Sequence, residues 1–281
     1  MKNTTYNIDT LSVSEYAKEA LRRTLRVASS TNSNIKESVK NLFVICPHGA
    51  CLSEYARTYE RIIIENDVYR VIGKGTYLEL AFPKMGTEKE YAAFYNSARL
   101  VAATINSFTG VFLISFERFN GYTDLMKEPA FRGLLKFIDA NVKNISFVFH
   151  VLPEFGDIEK LTNTLKSHVN LLQVSLAKPG IVDATEYVID ELNKSNIFFT
   201  KAAKKKLSVL IAEKINLESA SYLGYRTLDR FTSNVAFEVV CICDENKKGM
   251  RTIDTKVISQ LAEAVDFSLE NKEMSHKLGF M

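Results

Sequence analysis

Four short apolar runs separated by amphipathic stretches constrain this chain most. They are LFVI (42–45), GVFLIS (110–115), ISFVFHV (145–151) and LLQVSL (171–176). Runs of this length, GVFLIS above all, suit strands whose two faces are both covered, as in a parallel sheet between helices. The segments between them supply those helices. Residues 11–28 are expected to coil with Leu11, Tyr16, Leu21 and Leu25 on one side. From Leu52, the residues Tyr55, Ala56, Tyr59, Ile62 and Ile63 keep the spacing of one buried helical face. Tyr91, Phe94, Ala98, Val101 and Ile105 mark a helix over 88–108, and further helices are expected over 124–140 and 157–167. Residues 68–83 read as extended around a Gly-Lys-Gly interruption.

Beyond Pro179 the strand signal weakens. Helices are expected over 182–194, 200–215, 219–239 and 251–270, the last spacing Ile253, Val257, Leu261 and Val265 four apart. Three parts follow: an N-terminal helix and polar connection (1–34), an α/β core (35–178), and a small helical domain with a tail (179–281).

The bulk numbers narrow the function. A chain of 281 residues, 46% hydrophobic and 25% charged, can bury a sizeable core. Its net charge of +3 does not by itself call for nucleic acid or an anionic membrane. No apolar run approaches the roughly 20 residues of a membrane span. The start, MKNTTYNIDTLS, lacks a signal peptide's apolar centre, so a cytoplasmic protein is expected. The four cysteines, Cys46, Cys51, Cys241 and Cys243, fall in C-x4-C and C-x-C pairs that fit zinc knuckles poorly. The second pair ends the apolar run VAFEVVCIC, where Cys serves as a small hydrophobe. No metal site is expected, and no third group completes a Cys–His nucleophile with His48.

The first apolar run leads into ICPHGACLSEYA (45–56), a strand, a turn with a central Gly, and a helix start. That is the layout of a phosphate-binding loop, G-x-x-x-x-G-K-[ST]. Cys46 and Cys51 stand at its two Gly positions, Leu52 at its Lys and Ser53 at its hydroxyl.

Together with three later landmarks, this loop resembles the AAA+ ATPase module over roughly residues 35–270, nearest to the branch of red-type Rubisco activase and stage V sporulation protein K. Where the family has G-P-P-G-T-G-K-[ST], this chain has Cys46-Pro47-His48-Gly49-Ala50-Cys51-Leu52-Ser53. Where an apolar strand should end in Asp-Glu, Gly110-Val111-Phe112-Leu113-Ile114 is followed by Ser115-Phe116. LKSHV puts His168 where an Arg would reach a neighbouring subunit. GYRTLDRF offers Gly224-Tyr225-Arg226 at the start of the helix that touches nucleotide. The resemblance implies a P-loop NTPase-like three-layer sandwich with a central parallel five-stranded sheet, followed by a small helical lid.

It also implies that the chemistry has gone. Cys accepts positive φ poorly, and its sulfur crowds the volume a phosphate would fill. Leu52 forfeits a charge-assisted contact worth roughly 1.5–3 kcal/mol. Ser115 lacks the charge that would hold Mg²⁺, Phe116 cannot orient water, and His168 lacks an arginine fork. Glu117 stands one residue late and, on a strand, would face the other side. Ser53 then serves as a hydroxyl at a helix N-terminus, and His150 as a satisfied core histidine.

The expected function is therefore that of a catalytically inactive, bacterial-like AAA+ relative, a structural or regulatory subunit. It would dock on another AAA+ protein or self-associate, with no ATP or ADP as cofactor. Two alternatives stand beside it. One is a non-hydrolysing nucleotide sensor using Gly49, Ser53 and Arg226. The other is a nucleic-acid-handling accessory of helicase-loader or clamp-loader type using Lys201, Lys204, Lys205 and Lys206 of KAAKKK (201–206), which otherwise read as a solvated helix face.

Overall fold

The structure is a computed structural model that describes residues 8–9, 11, 13–68, 76–103, 110–143, 145–215, 222–243 and 249–264. The chain divides into two compact units, residues 1–47 with 51–177, and residues 48–50 with 178–281.

The first unit is built on five parallel strands: β1 (Asn41–Ile45), β2 (Thr76–Ala81), β3 (Gly110–Ser115), β4 (Ile145–Val151) and β5 (Leu171–Ser175). Their order is β2-β3-β4-β1-β5. The chain leaves β1 for the far edge, then returns strand by strand until β4 leads across β1 to β5. Right-handed crossovers therefore put the helix after β1 on one face and the later helices on the other. On the first face α3 (Leu52–Glu65) lies against β3, and α1 (Glu15–Ala28) lies against α3 and β5. The Tyr55 hydroxyl donates to Ala17 O at 2.9 Å, fastening the two helices. A short α2 (Ser33–Lys36) precedes β1. On the opposite face run α4 (Glu88–Ala103), α5 (Tyr122–Leu125), α6 (Pro129–Asn141) and α7 (Ile158–Lys166). There Phe43, Phe112, Ile114, Phe147 and Phe149 of the strands join Phe94, Phe131, Leu134 and Leu161 of the helices in one core.

The second unit comprises α8 (Ile181–Lys194), α9 (Lys201–Lys214), α10 (Tyr225–Ile242) and α11 (Thr255–Ala264) around Val188, Leu207, Leu228, Val235 and Leu261. It also holds a parallel pair, β6 (Ile197–Phe199) and β7 (Arg251–Ile253). The sequence predicts helix alone here. Ile253 is a buried strand residue rather than the start of a helical stripe, and α11 begins only at Thr255.

Other elements shift for identifiable reasons. Tyr16 is 66% exposed, because Ser14 caps α1 and sets its buried stripe at Ala17, Ala20, Leu21, Thr24 and Ala28. The helix expected over 124–140 is two, since Pro129 cannot donate an interior helical bond and instead opens α6. α10 starts at Tyr225 rather than 219. Residues 69–75, Ile105 and Val265 lie outside the described residues. No helix among the described residues is long and apolar enough to cross a membrane.

Candidate functional site

The turn after β1 carries residues 46–53, at the carboxyl end of a strand where the strand order reverses, the position at which open α/β sheets bind ligands. In the first unit, Cys46 continues β1, its amide donating to Val151 O at 2.9 Å. Its side chain is buried, and burial alone pushes the thiol up to about 12, which disfavours the nucleophilic thiolate near neutral pH. Cys51 is the N-cap residue of α3 without a side-chain capping bond, and Leu52 beside it is half-buried.

Ser53 does not cap its helix. Its hydroxyl donates to Glu79 Oε2 at 3.0 Å, and the same carboxylate oxygen accepts from Tyr77 Oη at 2.8 Å. The residue at the magnesium-ligand position thus answers to a carboxylate on β2. Nothing local in the sequence joins residues 53 and 79.

At the end of β3, Ser115 faces His150 of β4, its register partner. Both are buried, at 6% and 4% exposure. Ser115 Oγ lies 2.8 Å from His150 Nδ1, and His150 Nε2 lies 2.9 Å from the Cys46 carbonyl. A carbonyl only accepts, so Nε2 carries a proton, and in the neutral imidazole Nδ1 takes the serine's hydrogen. The backbone N–H of Glu117 donates to Ser115 Oγ at 3.3 Å. A side-chain relay therefore ties β3, β4 and the end of β1 together where the resemblance implies an acid. The polar residues that interrupt two otherwise apolar runs, Ser115 and His150, were the sequence signal for it.

Phe116 is fully buried among Phe82, Phe119, Phe131 and Phe149, with ring centroids 5.8–6.5 Å away. Glu117 is on no strand, because β3 ends at Ser115, so strand alternation does not decide its direction. His168 follows α7 and holds Asp139 through Nδ1 at 2.7 Å.

The rest of the loop, residues 48–50, clusters with the second unit. Gly49 has φ +84°, and its carbonyl accepts the Tyr225 amide at 3.0 Å. That amide is one of the first N–H groups of α10, which have no partner inside the helix. The contact is backbone on backbone. A Cβ on Gly49 would stand 2.0 Å from Leu223 O, and one on Gly224 2.1 Å from Gly49 O. Residues 222–224 are braced in turn: Lys178 Nζ donates to Tyr222 O at 2.6 Å, and Leu223 N to Thr227 Oγ1 at 2.8 Å. Arg226 and His48 are exposed, and Pro47 and Ala50 are partly so. No group of three or more His, Cys, Asp or Glu among the described residues could hold a metal ion.

No protein-family model matches the sequence, and no curated protein matches it. Solved structures do. A mutant of Thermotoga maritima RuvB is 15% identical with a TM-score of 0.53, over 91% of this chain and 71% of that one. The FIGL-1 AAA domain is 14% identical with a TM-score of 0.53, over 94% of this chain and 84% of that one. These likenesses show the fold, a AAA+ P-loop α/β core with a helical C-terminal part.

Proposed function

We propose that this chain is a catalytically inactive AAA+-like protein that serves in the cytoplasm as a structural or regulatory subunit, docking on another AAA+ protein or on its own copies. The observation that carries this reading is the end of β3. Ser115 spends its hydroxyl on buried His150, and Phe116 lies in the aromatic core, so neither position offers a carboxylate to a metal or a water. The engagement of the Gly49 carbonyl by Tyr225 and of Ser53 by Glu79 supports it. The sequence landmarks favour the branch of red-type Rubisco activase and stage V sporulation protein K.

Purified protein should release no phosphate from ATP with magnesium, alone or beside a candidate AAA+ partner's own rate. Magnesium-dependent turnover by the chain itself refutes the reading. The sensor alternative predicts a rise in melting temperature with ATP, since a bound ligand stabilises by RT ln(1 + [L]/Kd); a flat response at millimolar ATP removes it.

A further inference from the structure

A groove of about 530 Å³ runs between α8 and α9. Val182 and Ile189 give it an apolar stretch, one 67% exposed and the other 7%. Its two walls are of opposite sign. Glu186 and Asp190 stand one helical turn apart on α8, and Lys204 and Lys205 stand on α9. All four are exposed, and none of the four side chains has a hydrogen bond or ion pair among the described residues. Lys206, their neighbour, is by contrast occupied by Thr255 O at 3.2 Å.

From this juxtaposition of an apolar strip between an unpaired acidic wall and an unpaired basic wall, we propose that the α8–α9 groove docks an amphipathic helix of a partner protein. That helix carries a short apolar ridge with basic residues on one flank and acidic residues on the other. The inference rests on the reading of this chain as a subunit that works through protein contacts, and names one of its surfaces. Val182 to Asp190 spans about 12 Å of α8, or just over two turns, matching the two turns of ridge such a helix presents. A polyanion is the poorer occupant, because Glu186 and Asp190 repel the phosphates that Lys204 and Lys205 attract. The lysines of KAAKKK thereby acquire a role that a uniformly basic patch would not give them.

The test uses the full chain and three labelled helix-stabilised peptides with the same Leu ridge, one with Lys and Glu flanks, one with Lys on both, one with Glu on both. Fluorescence anisotropy should rank the mixed-flank peptide about tenfold tighter than either uniform one, a preference that shrinks with salt. The variant E186K/D190K should shift preference to the Glu-flanked peptide, and K204E/K205E to the Lys-flanked one. E186K and K205E alone should give the same ordering at smaller amplitude if a double variant does not fold. Equal binding of the three peptides, no binding, or unchanged ranking in the variants overturns the proposal, as does tighter binding of a single-stranded oligonucleotide that K204E/K205E abolishes. Phosphate release from ATP, measured on the same preparations, separates the two failures: turnover sinks the subunit reading, whereas absent peptide preference without turnover sinks only the groove.

Discussion

Ser115 Oγ and His150 Nδ1 lie 2.8 Å apart across the β3–β4 pair, and the opposite ring nitrogen reaches the Cys46 carbonyl at 2.9 Å. The relay needs no charge and holds three strand ends in register with two side chains. Removing the serine hydroxyl would take from a buried imidazole nitrogen the donor it faces. Ser115→Ala should therefore lose about 1–3 kcal/mol in urea unfolding, the cost of an unsatisfied buried acceptor. An unchanged midpoint at unchanged slope would show that the relay adds no stability.

Gly49, Gly224 and Gly249 all have positive φ, yet their surroundings differ. A Cβ at Gly249 meets nothing within 4 Å, whereas Cβ atoms at Gly49 and Gly224 meet backbone at 2.0 and 2.1 Å. Gly249→Ala should cost only the left-handed conformation, about 1–2 kcal/mol. Gly49→Ala and Gly224→Ala should each cost more, because backbone cannot rotate aside as a side-chain tip can. Thermal unfolding of the three variants gives the order directly, and equal losses would mean that the loop-to-helix contact is loosely held.

β1, β3 and β4 were legible because strands covered on both faces run apolar, whatever they pair with, and edge strand β5 because its buried Leu171 and Val174 keep enough of that pattern despite exposed Gln173 and Ser175. The helical domain's small sheet was not, since three residues of β6 or β7 are too few to show a period. Tyr16 was misplaced because an aromatic at helical spacing looks like core until the cap fixes the phase of the helix. At the site, Ser115 and His150 were readable as polar interruptions at the ends of adjacent apolar runs. Ser53 with Glu79 was not, for that bond is made by tertiary packing across 26 positions.

Acid stability should report the Lys84–Asp124 pair, whose atoms lie 2.5 Å apart. The Lys84 hydrogen bond and the Asn120 amide hold the Asp124 carboxyl below the usual carboxylate range. A carboxyl lowered in the folded state binds fewer protons there than in the unfolded chain. Its contribution is therefore complete above about pH 4, the unfolded value, and is lost as pH falls through the lower folded one. Asp124→Asn should flatten the decline of unfolding free energy below about pH 4 and leave its slope at neutral pH unchanged. A parallel decline in both proteins would remove Asp124 from the account.

Phe116 decides whether the acidic pair that the resemblance would place after β3 could be built there by point mutation. The Phe116 ring is stacked on Phe149 and set edge-on to Phe82 and Phe131, fully buried. Truncating a buried Phe costs about 3–5 kcal/mol. Phe116→Ala should fall in that range. Phe116→Glu adds to the same cavity a carboxyl among aromatic rings, where the cation over Phe119, Lys84 at 5.6 Å from the ring centroid, is already paired with Asp124, so the new carboxyl must either compete for that lysine, ionise unpaired or stay protonated. It should unfold more readily than Phe116→Ala and gain no ATP turnover, even combined with Ser115→Asp and Leu52→Lys. Urea unfolding beside a phosphate-release assay checks both halves. A stable Phe116→Glu protein that hydrolyses ATP would mean that position 116 can leave the core and face a nucleotide, and the case for an inactive subunit would fail with it.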